Sequence, residues 1–132
     1  MVDDTGFPNV GTPSSGVARQ YTGTLGKIGN CQISVSVYAV TDQASCPLDW
    51  RLFVPASWDE QAATAEEAEQ VRARRAKAGL PQAVRPRPKW ELALQMLDEL
   101  AGWGHRPPVV VADAGYGQNG AWRTALGERQ IT

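Results

Sequence analysis

The 132-residue sequence predicts an α/β fold built on a mixed sheet, and three stretches carry that prediction. Residues 31–40 alternate, with Ile33, Val35, Val37 and Ala39 on one face and Gln32, Ser34, Ser36 and Tyr38 on the other. A period of two with β-branched residues is the pattern of a half-buried strand. Between Lys89 and Trp103, Trp90, Ala93, Leu94, Leu97, Leu100 and Ala101 recur at helical spacing. Val109-Val110-Val111-Ala112 is a short continuous apolar run after that helix, which reads as a buried parallel strand.

In chain order, Met1-Val2 followed by Asp3-Asp4-Thr5-Gly6 reads as the end of a strand entering a turn. A strand has about five residues, so most of this one is expected upstream of Met1. Residues 6–30, rich in Gly, Pro, Ser and Thr, predict a long loop or irregular connection. After the strand at 31–40 and a polar turn at Thr41–Ser45, Leu48–Pro55 reads as an antiparallel strand closed by its proline. Residues 59–78 are charged and Ala-rich, which predicts a solvated helix, and 59–88 as a whole is expected to be a mobile charged insert. Gly79, Pro81, Pro86 and Pro88 break it, and Pro88 opens the next helix. Gly102 and Gly104 end that helix. The apolar run stops at Asp113, Gly115–Gly120 turns, and Ala121–Arg129 forms another helix. Gln130-Ile131-Thr132 looks like the entry to a further strand. An antiparallel three-strand meander, then helix, parallel strand and helix, is the order of a ribonuclease-H-like core. It is expected as one partial domain, 1–132, incomplete at both ends.

Composition narrows the function. Hydrophobic residues make up 42%, with five Trp, which suffices for a core. Thirteen Lys+Arg balance fourteen Asp+Glu, so no overall basic charge announces a nucleic-acid binder. Seven of those basic residues nevertheless fall between Arg72 and Lys89. Cys31 and Cys46 fit no zinc spacing and read as reduced thiols. With no signal peptide and no apolar stretch of membrane-spanning length, the expectation is a cytoplasmic protein without a membrane partner.

The chemistry centres on carboxylates. Asp113 ends a predicted buried strand, the edge at which open α/β sheets place their sites. Asp3 or Asp4 ends the first strand. Carboxylates that converge repel one another unless a cation lies between them. Mg²⁺ prefers such oxygen ligands, and two ions about 3.5–4 Å apart can activate water and stabilise the leaving oxygen in phosphodiester cleavage. The bland readings are an N-cap for Asp113 and a solvated turn for Asp3-Asp4.

Two phosphate motifs compete. Gly115-Tyr116-Gly117-Gln118-Asn119-Gly120 satisfies G-x-G-x-x-G between a strand and a helix. Against a dinucleotide site stand the carboxylate of Asp113, which would face the pyrophosphate, and a strand that is fourth in order rather than first. Gly23–Gly29 fails the phosphate-loop pattern, with Tyr21 in place of the first Gly and Ile28 in place of Ser/Thr. Its Lys27 remains a candidate surface near DNA. The Arg72–Lys89 cluster offers contacts to DNA phosphates, although Glu66, Glu67 and Glu69 make part of it a solvated helix face. His105, the only histidine, builds no catalytic pairing.

Five stretches taken together resemble the DDE transposases of bacterial insertion sequences. They are Asp3–Pro8, Gly16–Gln32, Leu52–Trp58, Lys89–Ala93 and Val110–Gly117, in order along nearly the whole chain. The resemblance implies a ribonuclease-H-like fold and a two-metal site of Asp, Asp and Glu. Its Mg²⁺ ions, or Mn²⁺ in their place, activate water to nick a transposon end, and the freed 3′-hydroxyl then attacks target DNA. By motif, Asp4 resembles the first catalytic and metal-binding Asp, with Asp3 as fallback, and Asp113 the second. Arg19, Lys27, Arg85, Arg87 and Lys89 are the DNA-binding candidates, Arg85 and Arg87 from the basic cluster alone. DNA is the implied partner, with a homo-oligomer at full length.

The departures are also informative. The family's third carboxylate lies on a helix well downstream of the second Asp. Here only Glu128 follows, on the helix immediately after, and it is not assigned. Asn9 and Val10 stand where basic residues are usual. The expectation is a truncated transposase inactive alone, the alternatives being a non-catalytic remnant that still binds DNA or protein, or a nucleotide module at Gly115–Gly120.

Overall fold

The computed structural model describes residues 1–61 and 63–132. Ala62, inside the predicted helix 59–78, lies outside the described residues. The elements are β1 (Val2–Pro8), β2 (Ala18–Thr22), β3 (Lys27–Val40), β4 (Ser45–Phe53), a 3-10 turn (Ala56–Trp58), α1 (Ala65–Ala78), α2 (Lys89–Gly102), α3 (Ala114–Gly117) and α4 (Gly120–Glu128). The fold is mixed α/β. β3 is the hub of a four-stranded sheet, because β1, β2 and β4 all pair with it. Met1 and Tyr38 exchange backbone hydrogen bonds at 2.7 and 2.8 Å, the closed pair of an antiparallel ladder. The tight turn between β3 and β4, closed by Thr41 N–H to the Ala44 carbonyl, leaves them antiparallel as well. The predicted meander is therefore β1, β3 and β4.

Three expectations change. β1 does not turn at Asp3–Gly6 but continues to Pro8. The stretch 6–30 is not merely a loop, since Ala18–Thr22 pairs with Cys31–Lys27 as an antiparallel hairpin. Residues 109–112 form no regular strand. Their backbone bonds are few: Val2 N–H to Val111 O at 2.9 Å, Val110 N–H to Thr132 O at 2.9 Å and Thr132 N–H to Pro108 O at 3.0 Å. The last two bracket Thr132 as a single parallel bridge would. Val109 and Val111 are 56% and 63% exposed, so the run is not buried either. A continuous apolar run predicts burial only where both faces are covered, and among the described residues nothing covers these two.

The chain divides into two compact units. The first comprises Met1–Asp3, Val35–Arg51 and Pro88–Thr132. Its core holds Val2, Val35, Val37, the α2 stripe Leu92, Ala93, Leu94, Met96, Leu97 and Leu100, and Tyr116, Trp122 and Leu126. α2 packs on α4, and a two-pronged ion pair from Arg129 to Asp98 (2.7 and 2.9 Å) ties the end of α4 to α2. Arg51, at the end of this unit's β4 segment, donates to Glu99 of α2.

The second unit comprises Asp4–Ser34 and Leu52–Arg87, with Val17, Cys31, Ile33, Val54, Trp58 and Ala68 in its core. Residues 59–78 read from sequence as a solvated helix, yet α1 is knitted in by its arginines. The Arg75 side chain is buried and donates to the carbonyls of Trp58 (2.9 Å), Pro81 (3.0 Å) and Val84. Arg74 lies 3.9 Å over the Trp58 ring and donates to Thr12 O and Val17 O. Trp58 in turn donates Nε1–H to Val17 O at 2.9 Å. The helix starts with a Thr64–Glu67 capping box and ends at Gly79, whose φ of 73° is a left-handed cap. Cys31 is buried and Cys46 exposed, and neither is in a disulfide. Among the described residues no helix is long and apolar enough to cross a membrane.

Candidate functional site

β1 carries the first candidate carboxylates. Residues alternate across a strand, so Asp4 shares a face with the buried Val2 and Gly6, while Asp3 shares the other with Thr5 and Phe7. Asp3 is exposed and Asp4 half-buried. Sequence parity cannot be fixed from two preceding residues; the seven-residue strand fixes it.

Asp3 falls in the first unit and Asp4 in the second. Within the first unit, the Val2–Val111 bond ties the residue before Asp3 to the residue two before Asp113.

Asp113 is the N-cap of α3. Its φ and ψ of −69° and 171° are extended, and its Oδ1 accepts the Tyr116 N–H at 3.3 Å. The bland reading of Asp113 therefore holds, but it uses one carboxylate oxygen and leaves the residue exposed. An N-cap role and a ligand role are compatible, because an ionised carboxylate offers about four lone-pair sites. Tyr116 behind it is buried against Trp122, with ring centroids 5.4 Å apart. This packing anchors the short helix that Asp113 caps.

The glycine-rich stretch is built differently from a phosphate cradle. α3 is a single turn, and α4 begins anew at Gly120 with Asn119 Oδ1 accepting the Trp122 N–H at 3.2 Å. Arg123 donates to the Gly117 carbonyl. Both helix starts thus hold the chain's own side chains where a phosphate would sit.

Divalent metal chemistry asks for several hard oxygen donors together. Among the described residues no group of three or more His, Cys, Asp or Glu is placed to hold a metal ion. The donor type of Asp3, Asp4 and Asp113 suits Mg²⁺, but a complete cage is not present in these residues.

The basic candidates fall into separate environments. Arg19 on β2 and Lys27 at the start of β3 are exposed. Arg85 is paired with Glu60 at 3.3 Å, and Arg72 reaches the same carboxylate at 4.0 Å. Arg87 is exposed in the Pro-rich link, and Lys89 opens α2. Arg74 and Arg75, inside the same basic cluster, spend their donors on backbone carbonyls. Burial pulls the Arg74 guanidinium below its usual value. Sequence reasoning missed this structural pair; the one available signal was Trp58, an aromatic just upstream of a basic helix.

The sequence matches the family described as DDE superfamily endonuclease over residues 1–132. It is 28% identical over 120 residues to the "Probable transposase for insertion sequence element IS701" of Microchaete diplosiphon. That alignment covers 91% of this chain and 26% of the relative, so the chain spans about a quarter of that protein's length. No solved structure matches.

Proposed function

The chain belongs to the DDE superfamily endonucleases, and on that premise we propose that it is the part of a transposase that supplies two carboxylates to metal-dependent DNA cleavage and strand transfer. Asp4 and Asp113 are the proposed metal ligands, with Asp3 the fallback for the first. The observation that carries the reading is the family match over the whole chain, which includes both acidic motifs. The proposed architecture is ribonuclease-H-like, with β1, β3 and β4 as its meander.

Mg²⁺, or Mn²⁺ as its substitute, is the proposed cofactor; such an ion polarises phosphate oxygens and lowers the pKa of bound water. Asp113 would keep its helix cap through one oxygen and offer the other. Since the described residues hold no three-donor cage, the 132 residues alone are proposed not to cleave DNA. The proposed partners are the transposon ends and target DNA, contacted through Arg19, Lys27, Arg85, Arg87 and Lys89, with self-association in the full-length protein. The setting is proposed to be cytoplasmic.

The test is nicking of supercoiled plasmid with Mg²⁺ or Mn²⁺. The isolated chain is expected to leave the plasmid intact. Cleavage lost in both Asp4→Asn and Asp113→Asn would overturn inactivity but keep the site, whereas cleavage surviving Asp113→Ala would contradict the site.

A further inference from the structure

Between Asp4 and Asp42 the sequence has no acidic residue, and Arg19 and Lys27 are its only charged side chains. Both lie on the β2–β3 hairpin. Its register pairs Arg19 with Asn30, Tyr21 with Ile28 and Thr22 with Lys27. Directly opposed residues share a face, so Arg19, Tyr21 and Ile28 project from one side. Tyr21 and Ile28 are 62% and 58% exposed, a cross-strand pair of large apolar side chains in water. Lys27 lies at the closed end, on the opposite face beside the buried Thr22.

The hairpin is also seated on the strand that bears Asp4. A Cβ on Gly6 would lie 2.2 Å from Thr22 Oγ1, so only glycine permits the approach. Gly6 N–H donates to Thr24 Oγ1 at 3.1 Å, and Thr24 N–H to Thr22 Oγ1 at 3.3 Å. Gly6 is two residues from Asp4 on the same face of β1. The turn itself closes through Gly26, whose φ is 67°.

We propose that this hairpin is a DNA-docking ribbon that presents Arg19 and Lys27 to backbone phosphates and the Tyr21–Ile28 pair to the groove wall, held against β1 by Gly6, Thr22 and Thr24. The proposal rests on the reading of DNA as substrate and adds the surface and the mode of contact. A two-stranded ribbon is narrow enough to enter the major groove of DNA, and the acid-free stretch removes the like-charge repulsion that would oppose phosphates. Edge protection by charge accounts for Arg19 on an outer strand, but not for the adjacent exposed apolar pair.

The test measures binding of a short labelled duplex by the 132-residue chain, by anisotropy across a salt series. Arg19→Ala and Lys27→Ala are each expected to weaken binding and to lower the salt slope by about one, the loss of one phosphate contact. Tyr21→Ala is expected to weaken binding several-fold with the slope unchanged. Arg106→Ala, which removes an exposed basic side chain outside the hairpin, is expected to bind as the parent does. All substituted hairpin residues are exposed, so thermal melts should be unchanged. If the parent binds and the hairpin variants bind equally well, the ribbon is wrong and DNA as substrate stands. A parent that binds no duplex overturns the ribbon, and the carboxylate site is then judged by its own metal test. Self-association abolished by Tyr21→Ala, with DNA affinity unchanged, would assign the face to a protein contact and overturn the proposal.

Discussion

Arg75 donates a hydrogen bond from Nη1 to the carbonyl of Trp58 at 2.9 Å, and both residues are buried. The same guanidinium satisfies the carbonyls of Pro81 and Val84. One side chain therefore joins the 3-10 turn, α1 and the Pro-rich segment after it. Replacing it with an apolar residue leaves several carbonyls without that donor. Arg75→Met is expected to lower the unfolding free energy by about 3 kcal/mol, read as a reduced urea midpoint. A loss below about 0.5 kcal/mol, the usual limit for a surface substitution, would contradict the buried clamp.

Gly6 and Thr22 make the second prediction. The Cβ of an alanine at position 6 would meet Thr22 Oγ1 at 2.2 Å and Thr22 Cβ at 2.7 Å. Gly6→Ala is expected to cost about 1–3 kcal/mol through overpacking. Trimming the partner removes the obstruction, so the Gly6→Ala/Thr22→Gly double variant is expected to lose less than the sum of its single variants. Additive losses in chemical denaturation would contradict the contact.

The Asp98–Arg129 pair predicts a small acid dependence. Its hydrogen bond to Arg129 holds the Asp98 carboxyl below its ordinary value of 3.8. A depressed folded-state value means stability that is present above the unfolded value and lost as pH falls through the folded one. The Asp98 side chain is 53% exposed, so solvent screens the pair and its worth is about 0.5 kcal/mol. Asp98→Asn is expected to remove this increment near neutral pH and to flatten the stability profile below pH 3.8. A profile unchanged in that acid window would show that the pair contributes nothing.

The observed cap of Asp113 and its proposed ligand role can be separated. Asn caps helices about as well as Asp, whereas Ala does not, at a typical cost of about 1 kcal/mol. Asp113→Asn is therefore expected to melt like the parent and Asp113→Ala below it. Metal binding, in contrast, is expected to fall in both, since neither replacement carries the charge. Equal melting of all three would remove the cap, and metal affinity retained in Asp113→Asn would remove the ligand.

Much of the fold was legible because its periodicities are strong. The alternation at 31–40 became part of β3, and the stripe from Trp90 to Ala101 became α2 within a residue of its predicted end. β2 was hidden because Ala18–Thr22 has no hydrophobic run of its own; its strand character comes from pairing with β3. The run 109–112 misled in the opposite sense, since burial is a tertiary property that four apolar residues cannot report. Arg74 and Arg75 read as solvated charge because sequence gives no sign that a guanidinium will face carbonyls. The candidate acids stand out in the sequence as motif residues, but neither ends a strand, since Asp4 lies inside β1 and Asp113 caps α3, the ordinary role of an Asp at that place. Which face of β1 bears Asp4 required the full length of that strand.

The central claim is that Asp4 and Asp113 are metal ligands. The most direct measurement is a Mn²⁺ titration of the isotopically labelled 132-residue chain, followed by paramagnetic broadening of backbone amide resonances. The account predicts that amides around residues 3–5 and 112–114 broaden over the same range of Mn²⁺ concentration, and that Asp4→Asn or Asp113→Asn raises the concentration needed at both stretches. Broadening at only one stretch, or at both regardless of these substitutions, would contradict it.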